Sequence, residues 1–360
     1  MAIEWLAGNR LRGTTAERPN FGLPSGSVGG WVELARTTLG SANRYIDVTS
    51  LPNKRYYMIL HDSHGHANTA GTIRVRYNTD NGTNYAHRRN ANGGADGTSV
   101  NEISDFIGSF AEDTNPLFAV GYLSNLSSKE KLTIWHNVEQ RTAGAGNAPH
   151  RNELVGKWTN TTDPLDEVQI FTGATNSYNT NSEVVVLGWD PADTHTTNFW
   201  EELADVELSS ASDTLSSGTI TAKKYLWVQL FIKNSGVAQP RLQFNSDTGS
   251  NYHSRISTNG ASDTTNQPTA GDGGVVVSSD TTSGHTQFAN VFIINNTSNE
   301  KLVIAHAVGN NSSGAGNAPY RRETVSKWAN TSNQITQIDA WNNKTGDFDS
   351  GSIIKVWGAD

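Results

Sequence analysis

The sequence writes one passage twice. Residues 144–160 read GAGNAPHRNELVGKWTN, and residues 314–330 read GAGNAPYRRETVSKWAN, 170 positions later. Repetition at a fixed offset is the mark of a duplicated folding unit, and 360 residues suffice for two units that each bury a core. The match runs far beyond the opening passage. WVELA at 31–35 answers WEELA at 200–204, and TDNGTNYAHRRNANGGAD from Thr79 answers SDTGSNYHSRISTNGASD from Ser246. EKLTIWH at 130–136 answers EKLVIAH at 300–306, and both units close alike, in SEVVVLGWD from Ser182 and SIIKVWGAD from Ser352. The offset drifts from 169 to 167 to 170 between motifs while the motifs keep their lengths, as loops vary on a shared framework. The reading places repeat one at 31–190, a linker at 191–199, repeat two at 200–360, and an extended N-terminal arm at 1–30.

Inside each copy, short apolar runs alternate with Gly, Asn, Thr and Ser, which favour turns and strands over helix interiors. Eight runs per copy read as strands, among them RYYMIL, LFAVGYL, KLTIWHNV and EVVVLGW in the first and YLWVQLFI, QFANVFIIN and KLVIAHAV in the second. Eight strands in about 160 residues suit a sandwich of two antiparallel sheets. The expected fold is therefore all-β: two tandem jelly-roll sandwiches behind the arm. The strand after each GAGNAP turn carries Val155 and Trp158, matched by Val325 and Trp328, and these four are expected in the core, each indole N–H with one partner.

Composition narrows the function. A formal charge of −8 gives no basic face for nucleic acid, and no segment approaches the apolar length of a membrane-spanning helix. With no cysteine, neither thiolate nor disulfide chemistry is available. No conventional export signal is expected at the N-terminus.

Four polar groups invite a chemical reading. The run HDSHGH, His61 to His66, offers possible metal ligands, but repeat two has no histidine there, so a solvated loop is expected. The repeated D-x-G-x-N-Y offers Asp80, Asn84, Asp247 and Asn251 as calcium ligands; without the bidentate acid of a dedicated loop, a hairpin turn with Gly in the left-handed position is the simpler expectation. His136 matches His306 within an apolar strand, and Arg151 with Glu153 matches Arg321 with Glu323, the pattern of a satisfied histidine and a strand-end ion pair. Aromatics private to one copy, such as Trp135 and Trp227, are material for a sugar-stacking face. No nucleophile or second matched acid joins these groups, so neither catalysis nor a cofactor or metal is expected.

The chain resembles virion structural proteins of tailed phages and related viruses, on the N-terminal segment WLAGNRLRGTTAER at 5–18 together with LPNKRYYMIL, NGTNYAHRRNANGGAD, GAGNAP and SEVVVLGWD. The resemblance implies a non-enzymatic virion surface protein, made in the host cytoplasm, serving as a capsid decoration, tail or fibre component. Its partners would be copies of itself and other virion proteins, with a host-surface glycan as a further ligand to test. The arm, with Trp5, Leu6, Arg10, Leu11, Arg12, Glu17 and Phe21, holds too few apolar anchors to fold alone and is expected to dock on a neighbour. The alternative readings are a tandem carbohydrate-binding module and a subunit of a cellular surface filament.

Overall fold

A computed structural model describes residues 30–66, 71–110, 115–173, 177–190, 198–278, 285–310 and 314–360. The arm residues Trp5, Leu6, Arg10, Leu11, Arg12, Glu17 and Phe21, and positions 191–197 of the linker, lie outside the described residues.

Repeat one contributes β1 (Val32–Thr38), β2 (Tyr45–Val48), β3 (Tyr56–Ser63), β4 (Gly71–Tyr77), β5 (Tyr85–Ala91) and β6 (Gly97–Glu102). It continues with β7 (Asp105–Phe110), β8 (Leu117–Ser124), β9 (Lys131–Glu139), β10 (His150–Trp158), β11 (Val168–Thr172) and β12 (Glu183–Trp189). Repeat two runs β13 (Glu201–Glu207), β14 (Thr214–Thr219), β15 (Tyr225–Lys233), β16 (Pro240–Phe244), β17 (Tyr252–Thr258) and β18 (Thr264–Asn266). It ends with β19 (Val275–Val276), β20 (Thr286–Ile294), β21 (Lys301–Gly309), β22 (Tyr320–Trp328), β23 (Gln337–Asn342) and β24 (Ile353–Ala359).

Each repeat is a sandwich of one large and one small sheet. In repeat one the large sheet runs β1-β12-β3-β8-β9-β10-β5-β6 and the small sheet β2-β11-β4-β7; repeat two reproduces both orders strand for strand. Setting aside the paired insertions β5–β6 and β9–β10 leaves eight strands in the order 1-8-3-6 facing 2-7-4-5. That interleaving of early and late strands is the jelly roll. Twelve strands stand where the sequence reading gave eight, which missed β2, β5, β6 and β7 in repeat one; β5 (YAHRRNA) and β6 (GTSVNE) are polar, extend the large sheet at one end, and carry little apolar alternation to betray them.

Two closed cores confirm the duplicated unit as two sandwiches. Trp158 and Trp328 are fully buried at equivalent points, as expected. Val155 corrects the core expectation. Side chains alternate along a strand, so a residue three positions before an inward Trp points outward, and Val155 is 52 % exposed. Val325 also points out of its own sandwich, yet is buried, because repeat one covers that surface.

A third apolar cluster forms this seam. Met58, Leu60, Phe118, Val120 and Val138 come from the outer face of the large sheet of repeat one; Tyr225, Phe292, Leu302, Ile304 and Val325 come from the same face of repeat two.

Candidate functional site

The repeated Asp is committed to structure. Asp80 Oδ1 accepts from the Gly82 N–H at 2.9 Å, Asn84 Nδ2 reaches both carboxylate oxygens, and Trp158 Nε1 donates to Oδ2 at 2.7 Å. Asp247 holds Gly249, Asn251 and Trp328 in the same way. Burial alone would raise the Asp80 carboxyl, but the bonds from Trp158 and Asn84 outweigh it and hold it below its ordinary value. The segment is a corner, not a hairpin, since β4 belongs to the small sheet and β5 to the large one. The left-handed residues are Asn78 and Thr79, with Asn245 and Ser246 in the copy, and Asp80 N–H closes the turn on Tyr77 O at 3.0 Å. Gly82 leaves space for the Asn84 amide instead: a Cβ there would stand 2.7 Å from Asn84 Nδ2 and displace it.

The histidine-rich run is buried rather than solvated. His61 and Asp62 belong to β3, and with His66 they are almost inaccessible. His61 Nδ1 lies 3.2 Å from Glu183 O, and burial lowers its pKa to about 4. Asp62 faces the second repeat, where Lys224 Nζ stands 3.1 Å from Asp62 and 3.0 Å from Glu183, Tyr225 O–H donates to Glu183 at 2.8 Å, and Asn296 Nδ2 donates to Asp62 at 3.1 Å. Burial raises the Asp62 carboxyl, yet His64, Lys224 and Asn296 more than reverse it. Strand β3 thus supplies an acid to the seam.

At the other side of the seam, Arg151, the second residue of β10, makes the expected pair with Glu153 and reaches further, to acids of repeat two. Its side chain is 4 % exposed and meets Glu153 at 2.5 Å, Asp263 at 2.8 Å and Glu323 at 3.4 Å. His136 and His306 pack ring to ring beside it, each 3.9 Å from Glu153 Oε1. His136, Glu153 and His306 offer three ligating atoms within 4.8 Å of one another, which by distance alone could hold a metal ion. The electrostatics oppose that use: Arg151 Nη1 already neutralises the oxygen both histidines face. Burial would raise the Glu153 carboxyl, but His306 and Arg151 hold it down to about 2. Burial first, and then the neighbouring His306, lower His136 to about 3, so its imidazole is neutral. This is an interlocked joint rather than an acid–base pair awaiting a substrate.

The aromatics expected on a sugar-stacking face divide. Trp135 is buried, its indole N–H directed to Tyr77 O–H at 3.3 Å, and Trp227 is packed between Phe292 and Trp357. An open apolar concavity lies elsewhere, on the outer face of repeat one. It has a volume of about 330 Å³ and is lined by Trp31, Tyr56, Tyr122, Leu132, Ile134 and Trp189, with Tyr56 stacked on Trp189 at 5.4 Å. The sequence reading missed this surface and also Lys224, Glu183 and Asp263; the last was visible only as the repeated Asp that closes NGGAD and NGASD.

No family model and no curated protein matches the chain. Among solved structures, domains LG4–5 of the mouse laminin α1 chain align at 10 % identity and a TM-score of 0.20, over 92 % of this chain and 91 % of that one. OpdQ of Pseudomonas aeruginosa aligns at 8 % identity and a TM-score of 0.13, over 84 % and 97 %. At such scores neither bears on fold or role. No helix among the described residues is long and apolar enough to cross a membrane.

Proposed function

We propose that this chain is a non-enzymatic structural subunit that works by assembling with other protein, consistent with the resemblance to virion surface proteins. The observation that carries the reading is the open apolar concavity of repeat one. Every residue named in its lining is uncharged, so it lacks the convergent charged or amide groups that orient a small polar substrate. Its equivalent in repeat two, built around Trp200, Tyr225, Phe292 and Ile304, is covered by protein, which argues that protein also fits the first. Within this reading the arm contacts a neighbouring subunit, so removing residues 1–29 should weaken assembly without shifting thermal unfolding.

The test is sedimentation velocity on the full chain with negative-stain imaging of the same sample. Defined oligomers or particles are expected; a single monomeric species at every concentration would overturn the reading. A second reading, glycan adhesion, draws on the stacked Tyr56 and Trp189, which offer a platform for a sugar ring. It is favoured if a glycan array gives specific binding that Trp189→Ala abolishes.

A further inference from the structure

The two repeats meet through different halves of the same face. Repeat one contributes the half carrying Phe118 and Val138; repeat two contributes the half carrying Leu302 and Ile304. Had both used the same half, equivalent residues would share one burial, and they do not. Phe118 is 1 % exposed and its equivalent Phe288 is 41 %; Ile304 is 2 % exposed and its equivalent Ile134 is 46 %. The contact is heterologous, and a heterologous contact leaves one unused, complementary half on each partner. Of the ten large exposed hydrophobics among the described residues, eight lie on these two unused halves.

The unused halves retain the parts of the joint. In the seam the Phe118 ring stands 6.3 Å from Tyr225, inside the surface equivalent to the open concavity. The corresponding pair is Phe288 and Tyr56, both exposed, one on a projecting half and one in the hollow. Lys327 and Glu300 pair at 3.3 Å with side chains 0 % and 4 % exposed, closed over by Thr142 O and the Gly144 N–H at the start of the first GAGNAP turn. Their equivalents Lys157 and Glu130 pair at 3.0 Å but stand 43 % and 42 % exposed, and the second GAGNAP turn, 314–319, is itself exposed.

Identities do change along this half, Leu60, Val120 and Val185 of the seam corresponding to Gln229, Asn290 and Lys355, but one facing pair changes together. Asn296 and Asp62 hydrogen-bond across the seam; their equivalents are Leu126 and Phe231, 38 % and 37 % exposed. A polar pair facing across one joint corresponds to an apolar pair that would face across the next.

We infer that a second copy of this chain docks here: the second repeat of one copy seats Phe288 and Phe231 on the Tyr56–Ile134 hollow and Leu126 of the next copy's first repeat, repeating between chains the joint made within each. This rests on the assembly reading and names its surface. The joint is directional, so it propagates until the rotation between repeats closes a ring or continues as a filament.

Two exposed substitutions test it, Phe288→Asp and Ile134→Asp, each followed by sedimentation velocity. Each alone should reduce the wild-type oligomer to monomer. Mixed in equal amounts they should form a dimer and nothing larger, because only one intact pair of halves survives. As a check independent of these variants, the chain has no cysteine, so Leu126→Cys with Phe231→Cys introduces the sole thiols. Oxidised glutathione, which accepts the two electrons and two protons of the disulfide, should convert the double variant into covalent oligomers and leave each single variant unlinked. Wild-type oligomers that persist in Phe288→Asp, together with a double-cysteine variant that does not link, would overturn this surface and leave assembly by another one standing. A monomeric wild type would overturn both.

Discussion

His136 and His306 occupy the same place in the two repeats, and their rings meet 4.2 Å apart between centroids, with one carboxylate, Glu153, 3.9 Å from each. Equivalent residues in contact usually signal a two-fold axis, but the surroundings are not symmetric. Arg151 is buried among three acids, whereas its equivalent Arg321 is 56 % exposed and, among the described residues, pairs only with Glu323, at 3.6 Å. The histidines mark a line on either side of which the two faces differ.

Both the joint and the interior of repeat one should loosen in acid. Burial holds His136 at about 3, His61 at about 4 and His150 at about 4, all below the ordinary histidine value. A folded-state pKa below the unfolded one means that the unfolded chain takes up protons first. Stability is therefore complete above about pH 6.5 and falls as the pH drops toward the folded values, by at most ~1.4 kcal/mol per pH unit for each histidine. Glu153, held at about 2, adds a loss that begins near pH 4.5. Urea titrations from neutral pH down to about pH 5 should show this slope, and His136→Gln should flatten it. A flat profile in the wild type would contradict the burial of these rings.

Trp158→Ala and Trp328→Ala should each destabilise their own repeat by about 3–5 kcal/mol, through lost transfer energy and a cavity that cannot collapse. Calorimetry should show one unit melting early in each variant. Equal melting of variant and wild type would mean the indole is not in the core.

Asp80→Ala should cost about 1–3 kcal/mol, more than a turn defect, because it leaves the Trp158 indole N–H without its acceptor. Asp247→Ala should do the same in repeat two. Chelators should leave the melting temperature unchanged, since Gly82, Asn84 and Trp158 already fill these oxygens. A drop on chelation restored by calcium would make the corners ion sites.

Arg151→Ala and Arg321→Ala form a matched pair. The first strands buried carboxylates of both repeats and should cost about 3–5 kcal/mol. The second removes an exposed cation and should stay within about 0.5 kcal/mol. Equal effects would show that the joint does not depend on Arg151.

The duplicated sequence determined the number of sandwiches, the place of most strands and the two core tryptophans, because turn residues and period-two alternation act within a few positions and recur in both copies. Burial inside one sandwich also follows from strand parity, which the sequence displays: Trp158 points in, so Val155 points out. The polar strands β5 and β6 escaped because they earn their place by pairing at the end of a sheet, not by filling a core. Tertiary structure alone decided that Val325 is covered while Val155 is open, that Arg151 is locked while Arg321 is exposed, and that an acid in a histidine-rich run grips a lysine of the other repeat. Two nearly identical faces carry nearly identical local signals. Which half of each becomes buried depends on how two rigid sandwiches rotate against one another, and that choice is summed over contacts from strands far apart in the chain.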